Sequence, residues 1–329
     1  MKLTVLGPGC WGSTLAWLLC DNFEEVTLWG RSADLPESFI KTKRLSSPLE
    51  VQLQEKIQIT SNLKEAIKDA DIILMVISTS GIRAVSSQLK EAGIKPEQIL
   101  VNASKGLEMP TLKRMSEVIE EELPNNPIVV LSGPTLAKEV LAGLPTAASV
   151  ASKDENSARL VQQKMSVPNR FRLYLNTDII GVELGGSLKN VIAIASGFVG
   201  AMKLGDNARG SILTRGMAEI IRVSTALGAK PSTLYGLSGM GDLIATCSSP
   251  LSRNYTVGYM LGQGKKINDI LAELGSVAEG VKTSEALCKL SKELNIYTPL
   301  SEMIYRIVYT DISPKEALNA LMNRELKQE

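Results

Sequence analysis

Lys2-Leu3-Thr4-Val5-Leu6 runs directly into Gly7-Pro8-Gly9-Cys10-Trp11-Gly12, and Leu15, Ala16, Leu18 and Leu19 then supply the apolar face of a helix. A β-type run, a glycine turn and a helix in that order allow few folds. Gly7 permits the tight turn, Gly9 lets backbone N–H groups approach a pyrophosphate, and Gly12 lets the helix pack closely on the strand. The helix N-terminus offers unpaired donors and a partial positive charge to the phosphates. A glycine turn alone is a weak signal. Placed between an N-terminal strand and a helix, it is read as a dinucleotide site.

The pattern that follows is alternating β and α. Val26-Thr27-Leu28-Trp29 is the second strand, leading to Gly30-Arg31-Ser32. An NAD-specific site presents Asp or Glu to the ribose 2′-hydroxyl at this strand end, whereas Arg31 suits a 2′-phosphate. NADPH is therefore favoured or at least accepted, the bland alternative being a surface arginine. After a polar stretch over 32–55 come Ile57-Gln58-Ile59-Thr60 and a short helix with Leu63, Ala66 and Ile67. The run 71–78 is the clearest buried strand, of the kind found in parallel sheets covered on both faces. A helix near 80–92 leads to a strand at 99–103 and then to Ser104-Lys105-Gly106, a lysine where α/β sheets place their ligands. A helix over 111–123, a strand over 128–131 and Ser132-Gly133-Pro134-Thr135 follow. Two closing strands, 146–151 and 170–175, flank a helix at 154–165. The expected fold is α/β: a Rossmann-like, open, doubly wound sheet over 1–176.

From Thr177 the strand signals stop, and 177–329 reads as an all-α domain. Helical patterns lie near 178–203, 207–227, 232–247, 252–262, 267–274, 281–294, 298–309 and 314–323, punctuated by Gly228, Gly262, Gly264, Pro299 and Pro314. Three segments carry polar residues where a plain core helix would not. Lys189-Asn190 interrupts the apolar helix that also holds Gly185 and Gly186, and the lysine either snorkels to water or serves chemistry. Gly205-Asp206-Asn207-Ala208-Arg209 is a charged glycine turn, or simply a connection. The segment 235–254 brings three glycines before Asp242 and ends in Ser252-Arg253-Asn254 at an incipient helix, which suits an oxyanion or phosphate.

The chain has no histidine, so proton transfer would fall to Lys, Asp, Glu, Tyr or Cys. Cys10, Cys20, Cys247 and Cys288 show no metal-ligand spacing, and no metal site is expected. Lys plus Arg number 36 against 35 Asp plus Glu, which argues against a general nucleic-acid binder. No signal segment is seen and no apolar run approaches the roughly 20 residues of a bilayer span, so a soluble cytoplasmic protein is expected.

The sequence closely resembles the NAD(P)-dependent glycerol-3-phosphate dehydrogenases of the bacterial type. The resemblance covers essentially the whole chain. It rests on GPGCWGSTLA at 7–16, SKG at 104–106, SGPTLAKEV at 132–140, GVELGGSLKNVIAIASG at 181–197, GDNARGSILTRG at 205–216, YGLSGMGDLIATCSSPLSRN at 235–254 and AEGVKT at 278–283. It implies a helical domain like the C-terminal domain of 6-phosphogluconate dehydrogenase and the interconversion of dihydroxyacetone phosphate and sn-glycerol 3-phosphate, for phospholipid synthesis. Carried over by position, the catalytic lysine is Lys189. Cofactor contacts fall on Cys10, Trp11, Arg31, Lys105, Ala137, Arg253, Val277 and Glu279. Substrate contacts fall on Lys105, Gly133, Thr135, Lys189, Asp242, Ser252, Arg253 and Asn254. Pro8 departs from the small residue usual between the first two glycines and removes one N–H from the phosphate turn.

On this reading Lys189 stabilises charge on the ketone oxygen and delivers the proton, with Lys105 or burial lowering its proton affinity. Asp242 either holds Lys189 or binds a substrate hydroxyl. Two rivals stand beside it: a dehydrogenase of the same architecture acting on a β-hydroxyacid or 6-phosphogluconate, and a non-catalytic NADPH sensor. A homodimer is the expected assembly, twofold oligomers being the commonest.

Overall fold

The computed structural model describes residues 1–46, 49–274, 278–310 and 312–325. Strand β1 (Lys2–Leu6) feeds helix α1 (Cys10–Leu19), and β2 (Glu25–Trp29) returns parallel to β1 with Leu3 opposite Val26 and Leu6 opposite Trp29. The polar stretch beyond holds helix α2 (Glu37–Thr42) and a small antiparallel ribbon of β3 (Arg44–Leu45) and β4 (Val51–Gln52). Then come β5 (Gln58–Thr60), α3 (Leu63–Ile67), β6 (Ile72–Met75), α4 (Ile82–Glu91), β7 (Ile99–Asn102), α5 (Met115–Glu122), β8 (Ile128–Ser132), α6 (Ala137–Leu141), β9 (Thr146–Ser152), α7 (Glu155–Met165) and β10 (Phe171–Asn176).

The large sheet has the order β10-β9-β8-β7-β6-β1-β2-β5. β5, β2, β1, β6, β7 and β8 are parallel, β9 runs antiparallel to β8, and β10 is parallel to β9. Strand order reverses between β1 and β6, which opens a crevice at the carboxyl ends of the parallel strands. Side chains of β6 alternate between faces with period two. Ile72 and Leu74 pack in the cluster that includes Leu15 and Leu19 of α1, while Ile73 and Met75 join Val85 and Leu89 of α4 and Val118 of α5. Helix α5 starts four residues later than the expected 111. Leu107 pairs with Arg114 as an antiparallel bridge, and the Glu117 carboxylate accepts the Arg114 N–H to cap the helix there.

The second half is built around α8 (Ile179–Ala201), whose residues from Gly181 to Val199 are all buried. Asp178 caps it, accepting the Gly181 N–H at 2.8 Å and, through its other oxygen, the Lys230 N–H at 2.8 Å. By length and composition alone α8 would be long enough to cross a membrane, although Glu183, Lys189 and Asn190 interrupt its apolar residues. It is instead a core helix, its apolar window 94% buried inside the fold. Around it lie α9 (Gly205–Ala226), α10 (Pro231–Leu234), α11 (Asp242–Ser248), α12 (Arg253–Gly262), α13 (Ile267–Leu274), α14 (Glu279–Glu293), α15 (Pro299–Tyr309) and α16 (Pro314–Met322).

The single helix expected over 232–247 is divided into α10, a π-helical turn at Leu237–Gly241, and α11. Glycine permits this: the Gly241 N–H reaches the Gly236 carbonyl five residues back, at 3.0 Å. Helices α8 and α12 pack in close contact. A Cβ on Gly258 would stand 1.8 Å from the Ile194 carbonyl oxygen, and one on Gly197 would stand 1.9 Å from that of Tyr255. Backbone thus meets backbone across this interface.

Candidate active site

The glycine turn has the form its sequence requires. Gly7 has φ +116°, and a Cβ there would lie 2.4 Å from the Val76 carbonyl oxygen at the end of β6. A Cβ on Gly12 would lie 2.0 Å from the Gly7 carbonyl oxygen, so the third glycine is what brings α1 onto β1. Gly9 faces open space, with nothing within 4 Å of its Cβ position, and it caps α1 with no side-chain acceptor. Unpaired N–H groups at an open helix N-terminus fit a pyrophosphate. Pro8 is buried, its ring under the Gly30 position that ends β2. Cys10 and Trp11 form the first turn of α1 and are partly buried. Ala137 opens α6, the short helix packed beside α1. Arg31 lies beyond β2, away from the lysines, in a two-pronged ion pair with Asp34. Val277 lies outside the described residues.

At the other end of the crevice the two halves of the chain share one carboxylate. Lys189, on α8, donates to Asp242 Oδ1 at 2.9 Å, and Lys105, after β7, donates to Oδ2 of the same group at 2.7 Å. The Lys105 Nζ also reaches the Gly133 carbonyl at 2.9 Å and Thr135 Oγ1 at 3.4 Å, which ties it to the turn after β8. Lys189 is buried, so it does not snorkel to water. Asp242 does hold Lys189, and it holds Lys105 as well.

Sequence reasoning missed Thr246. Its hydroxyl accepts a hydrogen bond from Lys189 Nζ and donates to Asp242 Oδ1 at 3.1 Å. Its signal was spacing, since residues 242 and 246 are neighbours on one helical face. The glycines of α8 make the approach possible. A Cβ on Gly186 would meet Ser132 Oγ at 2.1 Å, and one on Gly185 would meet the Ser238 carbonyl at 2.8 Å. The first contact seats α8 on the end of β8, and the second seats it on the π-turn that aims Asp242.

Electrostatics follow from this burial. Removal from water pushes the Lys105 ammonium down to about 8, its neighbour Lys189 adding to the effect and Asp242 opposing it. Burial alone would push Asp242 up, but the two flanking ammoniums together outweigh it and hold the carboxyl below the usual range. Burial pushes the Cys247 thiol up to about 12, which keeps it neutral. Two ammoniums against one carboxylate leave this cluster with net positive charge.

The remaining candidates lie on or beside α9, α12 and α14. Ser252 caps α12, accepting the Tyr255 N–H at 3.2 Å. Arg253, the first residue of α12, is exposed and makes no hydrogen bond or ion pair with the described residues. Its charge faces α1: burial pushes the Cys10 thiol up, and the Arg253 guanidinium opposes that shift. Asn254 donates to Asn190 Oδ1 at 2.9 Å and accepts the Gly280 N–H at 3.0 Å, joining α8, α12 and α14. Glu279, at the start of α14, accepts the Thr79 hydroxyl at 2.8 Å beyond β6. The charged turn at Gly205 is a connection: Asp206 pairs with Arg209 at the exposed start of α9. No group of three or more Cys, Asp or Glu side chains that could hold a metal occurs among the described residues.

Residues 2–158 match the family model of the NAD-dependent glycerol-3-phosphate dehydrogenase N-terminus, and residues 178–319 match that of its C-terminus. The chain belongs to this family. It is 45% identical to a glycerol-3-phosphate dehydrogenase [NAD(P)+] of Syntrophotalea carbinolica, over 100% of this chain and 99% of that one. Identity to the enzyme of the same name from Trichormus variabilis is 44%, over 99% and 98%. The crystal structure of glycerol-3-phosphate dehydrogenase from Coxiella burnetii superposes with a TM-score of 0.92 at 33% identity, covering 98% of this chain and 99% of that one. The chain is an NAD(P)-dependent oxidoreductase of this family, with a Rossmann-like sheet domain and a helical domain.

Proposed function

We propose that this chain reduces dihydroxyacetone phosphate to sn-glycerol 3-phosphate with Lys189 as proton donor, supplying glycerophospholipid synthesis. The observation that carries the reading is the buried Lys189–Asp242–Lys105 bridge at the crevice between the two halves. The nicotinamide, when bound, supplies the hydride. Gly7, Gly9, Gly12, Cys10 and Trp11 form the turn that receives its pyrophosphate, with Ala137, Arg253 and Glu279 along the crevice.

Lys189 is aimed by two anchors, Asp242 and Thr246, and its ammonium stabilises negative charge developing on the ketone oxygen. It then gives that oxygen a proton, and takes one back in the reverse direction. Lys105, docked on Gly133 and Thr135, adds positive charge where an anionic substrate must sit. Arg253, exposed and unpaired among the described residues, is the guanidinium available to the substrate phosphate, with Ser252 and Asn254 beside it. A cytoplasmic enzyme that prefers NADPH and works as a homodimer completes the proposal.

Replacing Lys189 tests the assignment. Lys189→Ala is expected to lower turnover by roughly 10²-fold or more while NADPH still binds, by the usual size of acid–base effects. Near-normal turnover in that variant would remove Lys189 from the chemistry.

A further inference from the structure

We propose that Asp34 sets the balance between NADPH and NADH by competing with the 2′-phosphate for Arg31. The inference rests on reading the glycine turn as a dinucleotide site. Arg31 stands two residues past the end of β2, where the ribose 2′ position falls in sheets of this kind. Its guanidinium is already engaged there. Nε donates to Asp34 Oδ2 at 2.6 Å and Nη2 to Oδ1 at 2.9 Å.

The short 3₁₀ turn Ser32–Asp34 enforces the pairing, because the Asp34 N–H donates to the Arg31 carbonyl at 2.8 Å and turns the two side chains toward each other. Asp34 occupies one two-donor edge of the guanidinium, Nε with Nη2, which could otherwise grip a phosphate monoester, and its charge stands beside any anion that takes the other edge. A 2′-phosphate must therefore displace the Asp34 carboxylate or tolerate its charge. A 2′-hydroxyl has no such conflict, so NADH binds with the pair intact. The Arg31 side chain is 71% exposed, and an ion pair so well solvated is weak. Asp34 thus tempers the NADPH preference that Arg31 confers without abolishing it, and the same surface turn accommodates both cofactors.

The test is the dissociation constant of each binary complex, read from cofactor fluorescence without substrate. Asp34→Asn is expected to tighten NADPH about 2- to 5-fold, in line with a solvated ion pair, and to leave NADH nearly unchanged. Asp34→Ser, which also removes the charge, must shift the ratio the same way. In an Arg31→Gln background the Asp34→Asn effect on that ratio should vanish, which separates competition for the guanidinium from a general change in surface charge. An unchanged NADPH-to-NADH ratio in both Asp34 variants would overturn the proposal, as would an equal shift in the Arg31→Gln background. A wild-type protein that binds neither cofactor would overturn the dinucleotide reading beneath it instead.

Discussion

Asp242 gives one oxygen to Lys189 and the other to Lys105, so the two ammoniums are held apart by the charge that attracts both. Removing that carboxylate would leave two like charges buried together, an arrangement that costs several kcal/mol. The partnership also fixes a pH dependence. Lys105 holds its proton less tightly than an ordinary lysine and titrates at about 8. Below that value it is an ammonium and attracts an anionic substrate; above it, the attraction is lost. The Michaelis constant for a phosphorylated substrate is therefore expected to rise above pH 8, approaching tenfold per unit, as for any single required proton. A Michaelis constant that stays flat to pH 10 would contradict this role. The same shift bears on stability with a definite sign. The unfolded lysine binds its proton more tightly than the folded one, so Lys105 disfavours the folded state below about pH 8, and that penalty is relieved as pH rises from about 8 to 10.5. Lys189 and Asp242 were legible in the sequence because charge amid glycine and apolar residues is costly unless partnered, and Lys105 because it stands at the carboxyl end of a sheet strand. Thr246 was not, since a threonine on a helix ordinarily bonds its own backbone. Nor was Asp34, whose pairing with Arg31 depends on a local turn.

The elements show a similar division. Every strand of the large sheet was foreseeable, because its apolar runs and turn signals are local. The antiparallel direction of β9 was not, since direction depends on which neighbour a strand joins. The helices of the second half were readable from periodicity, except where glycine allows more than one backbone form. At Leu237–Gly241 the outcome is a π-turn, and that irregularity delivers Asp242 to the lysines. Glycine has opposite meanings on two other helices. Gly258→Ala places a methyl group 1.8 Å from the Ile194 carbonyl oxygen and should destabilise the protein by about 1–3 kcal/mol, the usual cost of overpacking. Gly210→Ala, on the exposed face of α9 with nothing within 4 Å, should stabilise it by about 0.5–1 kcal/mol, the helix-propensity difference. Thermal or urea unfolding of the two variants checks both signs. Equal effects would mean that α8 and α12 are not held backbone to backbone.

At the scale of the molecule, the two halves are joined by polar contacts that converge on the crevice. Lys105 meets Asp242, Thr79 meets Glu279, and Arg114 and Ser116 bond the buried Glu183 at 3.0 and 2.6 Å. Burial pushes the Glu183 carboxyl up even though Arg114 stands beside it. Such a seam fixes the distance between the glycine turn on one half and Lys189 on the other. Hydride donor and proton donor must meet at a single carbon–oxygen bond, so that spacing is the property on which the proposed reaction depends. The most direct measurement is the oxidation of NADPH and of NADH, followed by absorbance, with dihydroxyacetone phosphate as the acceptor. Rapid oxidation that requires the phosphorylated ketone, with NADPH consumed at least as readily as NADH, is the predicted result. A folded protein that binds NADPH yet oxidises neither cofactor with this substrate would contradict the account.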